Sequence, residues 1–130
     1  NQVADWGLSH KIVFAGFARG QELDKLYASA DLYVLPSVSE PFGLTPLEAL
    51  ACGTPVLVSR QSGVAEILKH ALKVDFWDVD DLTAKMITLT DEPAMAQTLK
   101  RLGGSEAAGW TWDKSVAGYL AVYKSLLGQA

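Results

Sequence analysis

The 130-residue sequence is poor in the residues that staple or metallate a fold: it has one cysteine, Cys52, and two histidines. A lone cysteine closes no intramolecular disulfide, so a hydrophobic core has to hold the chain together. His10 and His70 have no Cys, Asp or His neighbour at ligand spacing, and no metal site is indicated. No apolar run approaches the ~20 residues that cross a bilayer. Residues 1 to 11 show neither the basic nor the apolar region of a secretory signal, which makes a soluble, cytoplasmic protein the expectation. Clustered positive charge is missing as well. Eleven Lys and Arg against fifteen Asp and Glu leave a formal charge of −4, without a basic run to follow a phosphate backbone, which argues against a nucleic-acid partner. The chain opens on Asn1 rather than Met, as a processed, trimmed or incomplete polypeptide does.

What is present is apolar and ordered in character. Hydrophobic residues make up 49% and charged residues 20%, and the mean hydropathy is +0.14, which excludes a disordered chain. A mass of 14.0 kDa is one domain's worth, here residues 1–130, and monomer scaling expects about two thirds of the unfolded surface to be buried. Along the chain, short β-branched runs alternate with helical spacings. The reading is strand 12–15, helix 21–29, strand 32–35, helix 45–52, strand 55–58, helix 63–69, strand 71–74, and helices over 79–90, 93–102 and 113–127. Wholly apolar short strands between amphipathic helices imply a parallel sheet buried on both faces, a three-layer α/β/α Rossmann-like sandwich. Ligands of such sheets bind at the carboxyl ends of the strands, which directs attention to the loops 16–20, 36–44 and 59–63.

The segment Ser37 to Glu48, SVSEPFGLTPLE, carries the chemistry. Prolines at 36, 41 and 46 and Gly43 make a stiff, irregular strand-to-helix loop, longer than a plain connection needs. The spacing predicts a capping box, with Thr45 as N-cap, Pro46 at N1 and Glu48 at N3. Backbone N–H groups of Phe42, Gly43 and Leu44 at that helix start suit an anion such as phosphate. Glu40 and Glu48 flank this anion site. Carboxylates accept hydrogen bonds from paired hydroxyls, so a phosphate with a sugar on either side, a nucleotide sugar, fits the layout.

These residues resemble the C-terminal, donor-binding domain of the retaining GT-B glycosyltransferases of the glycosyltransferase 4, or group 1, type. The likeness runs through GLSHKIVFAGF, ELDKLYASADLYVLPSVSEPFGLTPLEALACGTPVLVS, SGVAEIL, ALKVDFWDVDDL and GWTWDKSVAGYLAVYKSLL. The resemblance implies that Glu40 contacts the donor hexose as the residue nearest the chemistry, that Glu48 holds the ribose, and that the Pro41, Phe42, Gly43, Leu44 and Thr45 backbone meets hexose and pyrophosphate. It places Phe17 and Ala18 by the base. It implies retaining, metal-independent hexosyl transfer from a UDP-, GDP- or ADP-sugar, with no cofactor.

Two expected parts of that family are not found in this sequence. The family's donor domain begins with a strand whose loop supplies an Arg and a Lys for the pyrophosphate, and no such pair precedes Lys11. The acceptor-binding domain is absent too, so the chain reads as a partial GT-B C-terminal domain. Removing a preorganised charge stabiliser costs ~10²-fold or more in rate, so the isolated chain is expected to be catalytically silent. Arg19 and Arg60 stand in loops that could supply replacement cations, although ordinary solvated arginines are the commoner finding. The alternative reading is a stand-alone remnant that serves as a nucleotide-binding or protein-interaction module.

Plain structural roles stand beside the functional ones. Glu48 serves a capping box, Gly43 a turn, and Gly63 the opening of a helix. Glu66 reads as an exposed helix residue, Cys52 as a small inert thiol, and Trp6, Trp77, Trp110 and Trp112 as packing anchors. The apolar face of the last helix, matching a surface that the family turns towards its other domain, is expected to be partly exposed and to favour self-association or a partner.

Overall fold

The computed structural model describes residues 2–128. A one-turn helix α1 (Gln2–Asp5) and a turn closed by the Lys11 N–H on the Leu8 carbonyl lead into residues 12–19, which form no regular element, and at Gly20 a φ of +53° turns the chain into α2 (Gln21–Ser29). Leu23 and Tyr27 of α2 face the core, while Leu26 stays exposed. Strand β1 (Tyr33–Leu35) leads through the Pro41–Gly43 loop to α3 (Thr45–Ala51), and β2 (Val56–Ser59) leads to the single turn α4 (Val64–Ile67). Strand β3 (Leu72–Val74) precedes α5 (Val79–Asp91), α6 (Pro93–Ala108) and α7 (Trp112–Leu126).

The sheet is parallel in the order β1-β2-β3, with Tyr33 beside Val56 and Ser59 beside Val74. Side chains alternate across it. Val56 and Val58 join Tyr27, Ala49, Leu50, Val64, Ala65 and Leu68 in the core cluster on the face that carries α2, α3 and α4. Leu57 and Val74 point the other way and are equally inaccessible, so β2 is covered on both faces as a Rossmann-like α/β sandwich requires. Helix α6 lies close against α3 because Gly103 has no Cβ: one added there would overlap Leu50 Cδ2. Asp78 caps α5 by accepting from the Asp81 N–H at 2.9 Å, the kind of N-cap that the sequence expects elsewhere.

Five expectations need correction. No strand forms at 12–15: Ile12, Val13 and Phe14 belong to no regular element and are exposed, Val13 at 87%. A β-branched run becomes a strand only when a neighbour completes its ladder, and among the described residues β2 is the sole strand hydrogen-bonded to β1. The helix expected over 63–69 stops at Ile67, since Leu68 turns to extended φ and ψ. The helix begun at 93 continues through Gly103 and Gly104 to Ala108, its close fit to α3 outweighing the ~1 kcal/mol that each glycine costs a helix. The tryptophans are not packing anchors: Trp6, Trp77, Trp110 and Trp112 are all at least half exposed, because each lies near a turn or helix end beyond the cluster built on β2. Lastly, the accessible surface is 9151 Å², against about 6,700 Å² for a compact monomer of this mass. The chain buries only slightly more than half of its unfolded surface, less than the two thirds expected, because residues 11 to 17 and all of α7 stand in solvent.

Candidate functional site

The β1–α3 loop and the β2–α4 connection meet at the carboxyl edge of the sheet. Ser59 Oγ donates to the Ser37 carbonyl at 2.6 Å, the Gly63 N–H to the Glu40 carbonyl at 2.9 Å and the Val64 N–H to the Phe42 carbonyl at 2.6 Å. Glu40 and Ser62 form a parallel bridge. The second connection is itself stiffened by Ser62, whose Oγ and N–H both donate to the Ser59 carbonyl. Gly63 sits so close that a Cβ there would meet the Pro41 carbonyl carbon at 2.9 Å and its oxygen closer still. Its role is therefore more than opening a helix. Gly43, at φ +90°, packs under the Glu40 side chain, with its missing Cβ 3.2 Å from Glu40 Cγ.

This lock leaves chemically useful groups free. Among the described residues the Glu40 carboxylate joins no hydrogen bond or ion pair, and the N–H groups of Phe42, Gly43 and Leu44 have no acceptor. Three donors and an unengaged carboxylate within five residues form a place for a ligand that carries both phosphate and hydroxyls.

The predicted capping box does not form. Leu44 is the N-cap, in αR geometry and without a side-chain cap, and its carbonyl accepts from the Glu48 N–H at 3.0 Å. Thr45 is the first helical residue, so Pro46 takes the second position. The competing partner explains the change: Thr45 Oγ1 accepts from the Tyr33 hydroxyl at 2.8 Å. Glu48 Oε2, freed from capping, accepts from the Tyr27 hydroxyl at 3.3 Å, and the two tyrosine rings meet edge to face at 5.5 Å. Tyr27 and Tyr33 thus orient Glu48 and Thr45. Sequence reading missed both; the signal in the sequence is a tyrosine on a helix face and another in a strand, and packing alone accounts for either.

Burial, reinforced by the Glu48 charge, pushes the Tyr27 hydroxyl up from 10.0 to about 12. The folded state therefore holds this proton more tightly than the unfolded chain. The stability it contributes is fully present below pH ~10 and drains away as pH rises towards 12. Urea midpoints measured from pH 9 to 11 are expected to fall more steeply in this chain than in a Tyr27→Phe variant; parallel slopes would refute the assignment.

No hydrogen bond ties Phe17 or Ala18 to the locked loops among the described residues; Phe17 is exposed, with the Arg19 guanidinium 4.7 Å above its ring. Arg60 leans towards Asp75 at 3.9 Å, and Gln61 Nε2 donates to the same carboxylate at 2.7 Å. Burial pushes the Cys52 thiol up, with Asp24 and Glu48 adding to it, the opposite of an activated nucleophile. An open groove of about 1000 Å³ begins at Phe42, Leu44 and Glu48 and runs to Trp110 and Trp112 at the α6–α7 corner.

The model of the family described as glycosyl transferases group 1 matches residues 1–104. The chain belongs to that family. Mannosylfructose-phosphate synthase from Agrobacterium fabrum is 36% identical over 115 residues, 85% of this chain and 25% of that protein. Sucrose-phosphate synthase from Thermosynechococcus elongatus superposes with a TM-score of 0.84 at 28% identity, over 99% of this chain and 33% of that one. The Anabaena protein HepE, solved in complex with UDP-glucose, shares the fold with a TM-score of 0.82 at 23% identity, over 95% of this chain and 35% of that one. The chain spans 16 to 29% of the length of such curated relatives. The family expected from motifs that run nearly the length of the chain, and the Rossmann-like α/β architecture expected with it, are those found. No described helix is long and apolar enough to cross a membrane.

Proposed function

We propose that this chain is the donor-binding part of a retaining hexosyltransferase and that it holds a nucleoside diphosphate hexose on the locked Glu40–Thr45 loop. The observation that carries the reading is the unengaged Glu40 carboxylate beside three unengaged N–H groups, on a loop fixed by hydrogen bonds to Ser62–Val64. In this reading the N–H groups of Phe42, Gly43 and Leu44 take the diphosphate oxygens, Glu40 takes hexose hydroxyls, and Glu48, steadied by Tyr27, takes the ribose hydroxyls. Phe17 and Ala18 flank the base. The positive potential at the diphosphate comes from backbone donors, so donor binding asks for no metal. Transfer breaks the bond from the anomeric carbon to the diphosphate oxygen while an acceptor oxygen attacks from the same face, its proton passing to the leaving phosphate. In this reading residues 1–130 alone bind the donor without turning it over, because no Arg and Lys pair precedes Lys11 to hold the pyrophosphate.

The test is an amide NMR titration with UDP, GDP, ADP and their glucose or mannose conjugates. UDP-glucose, the compound held by the Anabaena protein of the same fold, is the first donor to try. Saturable shifts at Phe42 to Glu48 with one nucleotide base are expected. Absence of shifts with every compound would overturn donor binding and favour the interaction module. Efficient hexose transfer by the pure 130-residue chain would overturn its predicted silence.

A further inference from the structure

Glu106 stands in the last turn of α6, where the carbonyl end of the helix dipole disfavours a carboxylate, and no basic residue accompanies it there. What holds its charge is the turn that follows α4. Glu106 Oε1 accepts from the Lys69 N–H at 2.8 Å, and Oε2 accepts from the His70 N–H at 3.0 Å and from Nδ1 of the His70 ring at 2.9 Å. Among the described residues these two N–H groups have no other acceptor. The Glu106 side chain is only 10% exposed. Burial opposes its ionisation, yet the two backbone donors and the His70 ring outweigh that cost and hold the carboxyl below its ordinary value. An ionised carboxylate only accepts, so Nδ1 is the protonated ring nitrogen of His70. Neighbouring charges do not compete for it. Of those that line the groove here, Lys114 of α7 gives its ammonium to the Gly109 carbonyl at 2.6 Å, Glu48 of α3 accepts from Tyr27, and Lys69 forms no ion pair among the described residues. Glu66 of α4 is exposed, and Lys100 and Arg101 of α6 lie more than a helical turn before Glu106.

We propose that Glu106 is a positioning residue for the Glu40–Thr45 loop, acting through the single turn of α4. A helix of four residues has almost no stability of its own, so its place is set by its buried side chains and by what holds its two ends. The leading end carries the lock, where the Gly63 and Val64 N–H groups donate to the Glu40 and Phe42 carbonyls. The trailing end runs through buried Leu68 into Lys69 and His70, the two residues that Glu106 grips. Helix α6 is a firm base for that grip. Its Gly103, about one turn before Glu106, lies so near the turn that a Cβ there would stand 3.6 Å from the His70 carbonyl oxygen, and it packs directly on Leu50 of α3. Val64, Ala65 and Leu68 bury the inner face of α4, but apolar contact is non-directional, and hydrogen bonds at both ends are what fix its register. A carboxylate 66 residues further along the chain thus helps to hold Glu40 in place. That the loop so held takes a donor rests on the proposed function; that Glu106 holds it does not.

The experiment is amide hydrogen exchange by NMR on the whole chain and on Glu106→Ala, without ligand. The Gly63 and Val64 N–H groups are expected to exchange about tenfold faster in the variant, together with those of Lys69 and His70. Amides of β2 report global opening, and the excess over their change is the effect sought. Glu106→Gln keeps one acceptor oxygen and restores part of the protection; it is the deciding variant if the alanine protein does not fold. Acid supplies a readout that packing alone would not move. The lowered carboxyl contributes fully above the ordinary carboxylate value, and the contribution is lost as pH falls through the folded one. A protonated Glu106 offers one acceptor oxygen, as glutamine does, so parent and Glu106→Gln differ at neutral pH and converge in acid. Added UDP-glucose is expected to bind Glu106→Ala severalfold more weakly than the parent. Faster exchange confined to Lys69 and His70, a difference between parent and Glu106→Gln that persists in acid, or undiminished UDP-glucose binding overturns the proposal. Coupled exchange in a parent that binds no UDP-glucose upholds the role of Glu106 and overturns the donor reading instead.

Discussion

Gly63→Ala is expected to lower stability by ~2–6 kcal/mol and to remove nucleotide binding at the same time. The added methyl meets the carbonyl carbon and oxygen of Pro41 and the Cα of Phe42, the last at 3.2 Å. These are backbone atoms, so no rotamer change relieves the overlap and one loop has to move away from the other. Overpacking of this kind costs ~1–3 kcal/mol. Separation also breaks the Gly63-to-Glu40 and Val64-to-Phe42 hydrogen bonds, each worth ~0.5–1.5 kcal/mol net. For a chain of this length the sum corresponds to a fall of about 10 °C or more in the thermal midpoint. Gly104→Ala is the matched control. Its Cβ would approach nothing nearer than the Leu50 carbonyl at 3.6 Å, so alanine there is neutral or gains up to ~1 kcal/mol of helix propensity. A Gly63→Ala protein that melts with the parent would show that the lock is not as tight as the geometry has it.

That Gly63 matters is a tertiary fact, and it marks the boundary of what the sequence discloses. The alternation of apolar runs with helical spacings is local information, and it yields β1, β2, β3 and the helices between them to within a residue or two. The Glu40-to-Glu48 loop is legible because Pro41, Gly43 and Pro46 set so close together suit neither a helix interior nor a central strand. The strand expected at 12–15 fails for the opposite reason: propensity is local, but a strand is a pairing, and the partner is not next to β1. The capping box fails by competition. Thr45 and Glu48 have the right spacing for each other, yet Tyr33 and Tyr27, distant in sequence, offer hydroxyls that the fold brings within reach. Indoles mislead because a large apolar side chain reads as core wherever it stands, and only the surface around Trp110 and Trp112 reveals that the core ends before them.

Glu48→Gln and Glu40→Gln are expected to separate the two halves of the donor. On the proposed geometry Glu48 accepts from the ribose, which every nucleotide carries, whereas Glu40 accepts from the hexose, which only the conjugate carries. Replacing a carboxylate by an amide leaves one acceptor oxygen and removes the charge that strengthens the bonds; losing a charged hydrogen bond costs ~1.5–3 kcal/mol, and the amide's remaining oxygen places the loss near the lower end, about tenfold in affinity. Glu48→Gln therefore weakens UDP and UDP-glucose alike, by about tenfold each. Glu40→Gln weakens UDP-glucose by a similar factor and leaves UDP unchanged. Folding should tolerate both. The Glu40 carboxylate has no partner to lose among the described residues, and a glutamine oxygen at 48 still accepts from the Tyr27 hydroxyl. That second point supplies an internal check, because removal of the Glu48 charge lets the Tyr27 hydroxyl titrate lower, observable in its ultraviolet absorbance without any ligand. If Glu40→Gln weakens UDP as much as it weakens UDP-glucose, the carboxylate acts on the nucleotide or on the loop itself, and the division of roles between the two glutamates is wrong.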